Sequence, residues 1–189
     1  MHTRYGIPHI VITSVSLPHP DHPISSLSVV GSTMTSDRRA RAFKIVFPAI
    51  DCYFSGTGDM FAALMVVRMR EAVHNTDKAA GEEGGLVDKE AWLSGDEVDA
   101  LDLPLARAAE KVLASMHEVL TKTAEAMGGS IEKARKGVAA DENGVVVDDG
   151  VEGEGKKVHL LKSKAAELRL VRHLDSLRFP KVEFRATRM

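Results

Sequence analysis

The sequence predicts an α/β chain in which amphipathic helices pack on a sheet. Two observations carry this expectation. The first 48 positions hold three short runs rich in β-branched and aromatic residues, and two long stretches with helical periodicity follow them. Strands followed by amphipathic helices are the ordering that layered α/β folds use.

Taken in order, residues 9–15 (His, Ile, Val, Ile, Thr, Ser, Val) have the composition of a buried strand. Leu27 to Val30 and Phe43 to Phe47 give two more, with Gly31 expected to end the first and Pro48 the second. Asp59 to Val73 contains neither Gly nor Pro and is mostly good helix formers. Its first two turns, Met60 to Val67, are apolar all round, which predicts a helix covered on most sides. In the second helix Leu105, Ala108, Val112, Met116, Val119 and Thr123 recur at three- and four-residue steps. Asp102 is the expected N-cap, Pro104 falls in the first turn, and Gly128 stands just past the expected end.

Length and charge narrow the class. The 189 residues suffice for one sizeable core, and 25 Lys+Arg against 27 Asp+Glu leave a formal charge of -2. Coating nucleic acid or an anionic membrane needs a large basic excess, so neither partner is expected. One Cys excludes a disulfide framework and a Cys-based zinc site. The longest apolar run, Phe61 to Val67, is far short of the ~20 residues of a membrane span. Gly6, Pro8 and His9 interrupt any signal-peptide core. The expectation is a soluble protein of the cytoplasm or nucleus.

Charge is unevenly distributed. Residues 75–100 hold eight acids against Lys78 and Lys89, the pattern of a solvated insertion loop. Residues 128–157 hold seven of the 15 glycines without helical or strand period, the pattern of a linker. Residues 158–189 carry eight bases against three acids. With Leu160, Leu161, Leu168, Leu170 and Val171 among them, they read as a packed element with a basic outer face rather than a nucleic-acid arm.

The chemistry concentrates at Gly56-Thr57-Gly58-Asp59, immediately before the first long helix. Free N–H groups and the helix dipole there favour a phosphate, and two glycines let the backbone approach it. A carboxylate repels phosphate yet accepts a proton from a hydroxyl, so the four residues together suggest phosphoryl transfer with Asp59 as base. A plain turn with an N-cap fits the same spacing. There is no Gly-x-x-x-x-Gly-Lys-Ser/Thr loop, so a P-loop enzyme is excluded. The eight His residues show no metal-ligand spacing, and Cys52 has no neighbouring His or Lys to activate it, which makes it a pocket-wall or core thiol.

The run Ser55-Gly56-Thr57-Gly58-Asp59-Met60-Phe61-Ala62-Ala63 resembles the C-terminal signature of the ribokinase-like small-molecule kinases, and among them the pyridoxal kinase family. Val11-Ile12-Thr13-Ser14 resembles that family's Thr-Ser turn beside the nucleotide phosphates, and Met116-His117-Glu118-Val119-Leu120 its following helix. Glu167 to Val171 and Val182 to Thr187 are similar to its C-terminus. The resemblance covers about residues 8–74, 102–127 and 165–188.

Its implications are specific. The fold would be the C-terminal part of a three-layer α/β/α sandwich, residues 1–189 forming the ATP-binding and catalytic-base portion with insertions at 75–100 and 128–157. Asp59 would deprotonate the 5′-hydroxyl of pyridoxal, pyridoxine or pyridoxamine. Gly56, Thr57 and Gly58 would form the anion hole for the γ-phosphate. Thr13 and Ser14 would contact ATP phosphates, Thr13 also a monovalent cation such as K⁺, and Ile50, Asp51 and Cys52 would line the nucleotide. ATP and Mg²⁺ are the implied cofactors, B6 vitamers the partners, and a homodimer the assembly of such kinases. The family's N-terminal half supplies the vitamin pocket and the acidic Mg²⁺ contacts, and no counterpart of it is recognisable in this sequence. Two alternatives stay open: a hydroxymethylpyrimidine or sugar kinase, and a non-catalytic remnant that binds nucleotide or pairs with a full-length kinase.

Overall fold

The computed structural model describes residues 1–16, 25–81, 85–90, 92–139 and 168–189. After a single helical turn, α1 (His2–Tyr5), come β1 (His9–Val15), β2 (Ser26–Met34) and β3 (Ala40–Pro48). Then follow α2 (Thr57–Ala80), α3 (Pro104–Ala139), α4 (Leu174–Arg178) and β4 (Ala186–Arg188). The four strands form one antiparallel sheet in the order β1-β2-β3-β4. Strand β2 pairs with β3 without interruption from Ser26↔Pro48 to Met34↔Ala40, which makes this hairpin the frame of the sheet.

Val29, Phe43 and Ile45 are fully buried and meet Leu105, Ala108 and Ala109 of α3. At ~1.5–3 kcal/mol for each large side chain taken from water, this contact is the main hydrophobic term. Met69 and Val73 bring α2 into the same core. Ala106, Ala108 and Ala109 have no exposed surface, as expected of a helix with neighbours on more than one side. Thus α2 and α3 pack with the sheet face that carries Val29, Phe43 and Ile45, while on the opposite face, where Ile12 is exposed, His2 of the single-turn α1 meets Ser32 Oγ at 2.8 Å.

Several expectations from sequence are corrected. Gly31 lies inside β2 instead of ending it, because the Phe43 ring occupies its side-chain space: a Cβ there would fall 2.2 Å from the ring. Helix α3 continues through Gly128 to Ala139, so 128–139 is helix and not linker, while most of the expected linker lies outside the described residues. Gly128, Gly129 and Gly137 each cost the helix ~1 kcal/mol relative to Ala, which the long stretch of good helix formers offsets. Asp102 does not cap α3; the Leu103 carbonyl accepts from Arg107 N–H at 3.2 Å, and the Asp102 carboxylate pairs with the Arg107 guanidinium at 2.7 Å. Helix α2 is covered on one side only: Met60 is buried, but Val66 and Val67 are 72% and 62% exposed.

The acidic stretch after α2 is also held more firmly than its composition suggests. Residues 75–80 belong to α2. The Asp77 carboxylate, itself buried, accepts the N–H groups of Leu86 and Val87 at 2.8 and 2.9 Å. Leu86, Val87 and Trp92 pack on the core. From β3, Arg41 donates to the carbonyls of Ser94, Gly95 and Val98, and Asp96 accepts from the Ser36 N–H. Fixed donors and acceptors thereby replace the solvation that the charge pattern implied. Farther along, Arg68 of α2 donates to the carbonyls of Leu177 and Arg178 at the end of α4, where unpaired carbonyls favour a cation.

Candidate active site

The strand end, the loop after β3 and the start of α2 converge on one pocket. Strand β1 carries an extra residue between Ile12 and Val15 relative to β2, a β-bulge, with Ser14 at φ 56°. A non-glycine residue in this left-handed region costs ~1–2 kcal/mol, and the bulge re-aims the side chains of the strand end. Thr13 and Ser14 line the pocket as a result.

After β3 the chain makes a tight turn in which Cys52 N–H donates to the Ile50 carbonyl at 2.7 Å. It then reaches α2 through Gly56 at φ 82°, a conformation that favours glycine. The first helical bond runs from Met60 N–H to the Gly56 carbonyl at 3.0 Å. The amides of Thr57, Gly58 and Asp59 precede it and have no intrahelical acceptor. No side chain caps them, so they remain available to an anion at the positive end of a 24-residue helix. A Cβ on Gly58 would meet nothing within 4 Å, so the space in front of this backbone is open.

The pocket has a volume of about 340 Å³. Thr13, Ser14, Ile50, Cys52, Thr57 and Gly58 all line it. Among the described residues the hydroxyls of Thr13, Ser14 and Thr57 have no hydrogen-bond partner. Asp51 and Asp59 are exposed and are not part of the wall. Gly56 forms the turn behind it. Asp59 occupies the third helical position, not the N-cap, and its carboxylate has no partner among the described residues.

Sequence reasoning did not assign the apolar half of the lining. Phe47 and Phe61 form one part of it, and Leu113, Met116, His117 and Leu120 of α3 another. The three- and four-residue spacing on α3 carries the signal, since these four positions share one helical face. The Cys52 thiol lies 3.6 Å from the Met127 sulfur, which ties the pocket wall to α3. No carboxylate lines the pocket, and among the described residues no three His, Cys, Asp or Glu side chains converge as a metal site. Among the described residues the wall therefore offers no carboxylate cage for a divalent cation.

No protein-family model matches the chain. A Schizosaccharomyces pombe protein named "Putative pyridoxal kinase" is 29% identical over 122 residues, 65% of this chain and 32% of that protein. Leishmania donovani pyridoxal kinase, solved with ADP and pyridoxamine, superimposes with a TM-score of 0.53 at 20% identity, over 97% of this chain and 40% of the enzyme. Its complex with ADP and pyridoxine gives the same TM-score and coverage. The chain thus spans between a third and two-fifths of these relatives. It is similar in sequence to one pyridoxal kinase, and its α/β fold is that of the corresponding part of another, the ribokinase-like fold.

Proposed function

We propose that this chain is the nucleotide-binding and catalytic-base portion of a vitamin B6 kinase. The observation that carries the reading is the pocket lined by the hydroxyls of Thr13, Ser14 and Thr57 together with the start of α2, where among the described residues neither these hydroxyls nor the first helical amides have a hydrogen-bond partner. Fixed N–H dipoles stabilise charge on a transferring phosphoryl group without reorganising. Asp59, one residue beyond the lining Gly58, takes the proton of the 5′-hydroxyl as the oxygen attacks the γ-phosphorus, and ADP leaves with the bond electrons. Mg²⁺ supplies charge neutralisation on the phosphates when bound; none of the pocket's own side chains is suited to hold it. The choice of pyridoxal, pyridoxine or pyridoxamine over a hydroxymethylpyrimidine or a sugar rests on likeness to the relatives, whose solved complexes hold ADP with a B6 vitamer. A cytoplasmic or nuclear setting and a homodimeric assembly belong to the same proposal.

A second reading, nucleotide binding without turnover, is favoured by one observation: Asp59 is exposed and stands outside the pocket wall. Two measurements separate them. Calorimetric titration with ATP should show one site, weakened in Ser14→Ala and Thr57→Ala. Joined to the N-terminal half of such a kinase, which supplies the vitamin pocket, the chain should convert labelled ATP and pyridoxal to labelled pyridoxal phosphate in a single-turnover format. Binding without product selects the second reading, and absence of ATP binding overturns both.

A further inference from the structure

We infer that His117 reads the hydrogen-bonding edge of the nucleotide base. This rests on the nucleotide reading of the pocket. With phosphates on the free amides of α2 and on Thr13 and Ser14, the remainder of a nucleotide extends along the apolar lining, where Leu113, Met116 and Leu120 supply area but no directional partner. In the α3 wall His117 alone carries a strong donor and acceptor, one ring nitrogen of each kind in the neutral imidazole. Among the described residues no hydrogen bond reaches either nitrogen. The rival sulfur group is engaged elsewhere: the Cys52 thiol faces the Met127 sulfur and the Tyr53 carbonyl, each at 3.6 Å.

The ring is also held in place. His117 meets Phe184 edge to face, with centroids 4.9 Å apart and planes at 83°. Phe184 in turn packs against Phe47 of β3, which lines the pocket, at 6.4 Å. An imidazole oriented by a packed aromatic neighbour presents its nitrogens in a fixed direction, so the ordering cost of a contact to a base is already met. Such a group discriminates between purines that differ in donor and acceptor pattern, whereas stacking does not.

The test compares the dissociation constants of ATP, ITP and GTP for the unaltered chain, His117→Phe and His117→Gln, all by calorimetry. His117→Phe keeps ring area and its contact with Phe184 but removes both hydrogen-bonding atoms. The inference expects the spread between ATP and ITP or GTP to narrow by roughly 3- to 10-fold in His117→Phe, the size of one hydrogen bond, and to recover in part in His117→Gln. The ATP-to-AMP affinity ratio, which reports the phosphate end, should not move. An unchanged spread, or an equal loss for all three triphosphates, would overturn the inference while leaving nucleotide binding intact. If no triphosphate bound the unaltered chain, the nucleotide reading itself would fall.

Discussion

The carboxylate of Glu110, on α3, accepts the backbone N–H of Ala186 at 2.9 Å and thereby fixes the closing strand to the helix that supports the pocket. Glu110 is only 4% exposed, and Arg185, the residue just before that strand, reaches it at 3.0 Å. Ala186 pairs with Ile45 at the centre of the core, so this one acceptor joins helix, sheet and C-terminal segment.

Glu110→Ala should therefore destabilise the chain by about 1–3 kcal/mol, the cost of leaving a buried N–H without an acceptor. Glu110→Gln keeps an acceptor oxygen and should lose less. Urea unfolding measures both, and hydrogen exchange at the Ala186 amide should accelerate in the Ala variant at denaturant concentrations where the rest of the sheet stays protected. Equal stability of the Ala variant and the unaltered chain would show that water reaches this amide.

A second prediction concerns pH. His9 in β1 meets Thr33 Oγ1 at 3.1 Å. Burial lowers its pKa below the ordinary value of 6.5; a Trp92 backbone group opposes this, and the charges of His2 and Arg41 add to the lowering. A base with a depressed pKa in the folded state stabilises the fold fully above 6.5. As pH falls below that value the unfolded chain takes up the proton first, and stability is lost until the folded-state pKa is passed. The urea midpoint should thus decline as pH drops from about 7.5 towards about 5, and the decline should be shallower in His9→Gln. An identical profile for the variant would assign the decline to other groups.

The Ser14 bulge sets stability against binding. Ser14→Gly should relieve a left-handed backbone penalty of about 1 kcal/mol and raise the unfolding midpoint. It also removes a hydroxyl from the phosphate end of the pocket, so ATP affinity should fall several-fold, as expected for one hydrogen bond. Ser14→Val, branched at Cβ, should lose both stability and affinity. Tighter ATP binding by the glycine variant would remove the Ser14 hydroxyl from the site.

How much of this was legible in the sequence depends on the range of the interactions concerned. Strand β1 falls on residues 9–15 as its β-branched composition predicts, and the cores of β2, β3, α2 and α3 lie where the local period places them. Of the pocket lining, Thr57 and Gly58 were legible from the turn before α2, which is local, whereas Thr13, Ser14, Ile50 and Cys52 were expected only through the family resemblance. What was not legible depends on distant partners. Gly31 stays in a strand because of Phe43, twelve residues away, and the described part of the acidic stretch is held by Arg41 of β3 and by its own Asp77 at the end of α2. Spacing puts His117 on one helical face with Leu113, Met116 and Leu120, but that this face forms the pocket wall depends on how α3 packs, with Phe184 against the His117 ring.

Two neighbouring substitutions separate the roles assigned to the start of α2. Gly58 lies in the first helical turn with open space at its Cβ position, so Gly58→Ala should leave the fold intact and gain about 0.5–1 kcal/mol of stability from the lower entropy of the unfolded chain. In the nucleotide complex the same methyl group would stand where the phosphate approaches the amides, so ATP affinity and turnover should both fall. Asp59→Asn is nearly isosteric and exposed, so stability should change by less than about 0.5 kcal/mol. It keeps the backbone amide but removes the proton acceptor. With the family's N-terminal half joined to the chain, phosphorylation of pyridoxal should then drop ~10²- to 10⁴-fold, while ATP affinity stays level or rises slightly as repulsion between carboxylate and γ-phosphate disappears. Thermal unfolding, ATP titration and single-turnover transfer on both variants give six readings with opposite signs in stability and in binding. Near-full transfer by Asp59→Asn would remove Asp59 from the chemistry, and undiminished ATP binding by Gly58→Ala would remove the helix amides from the phosphate site.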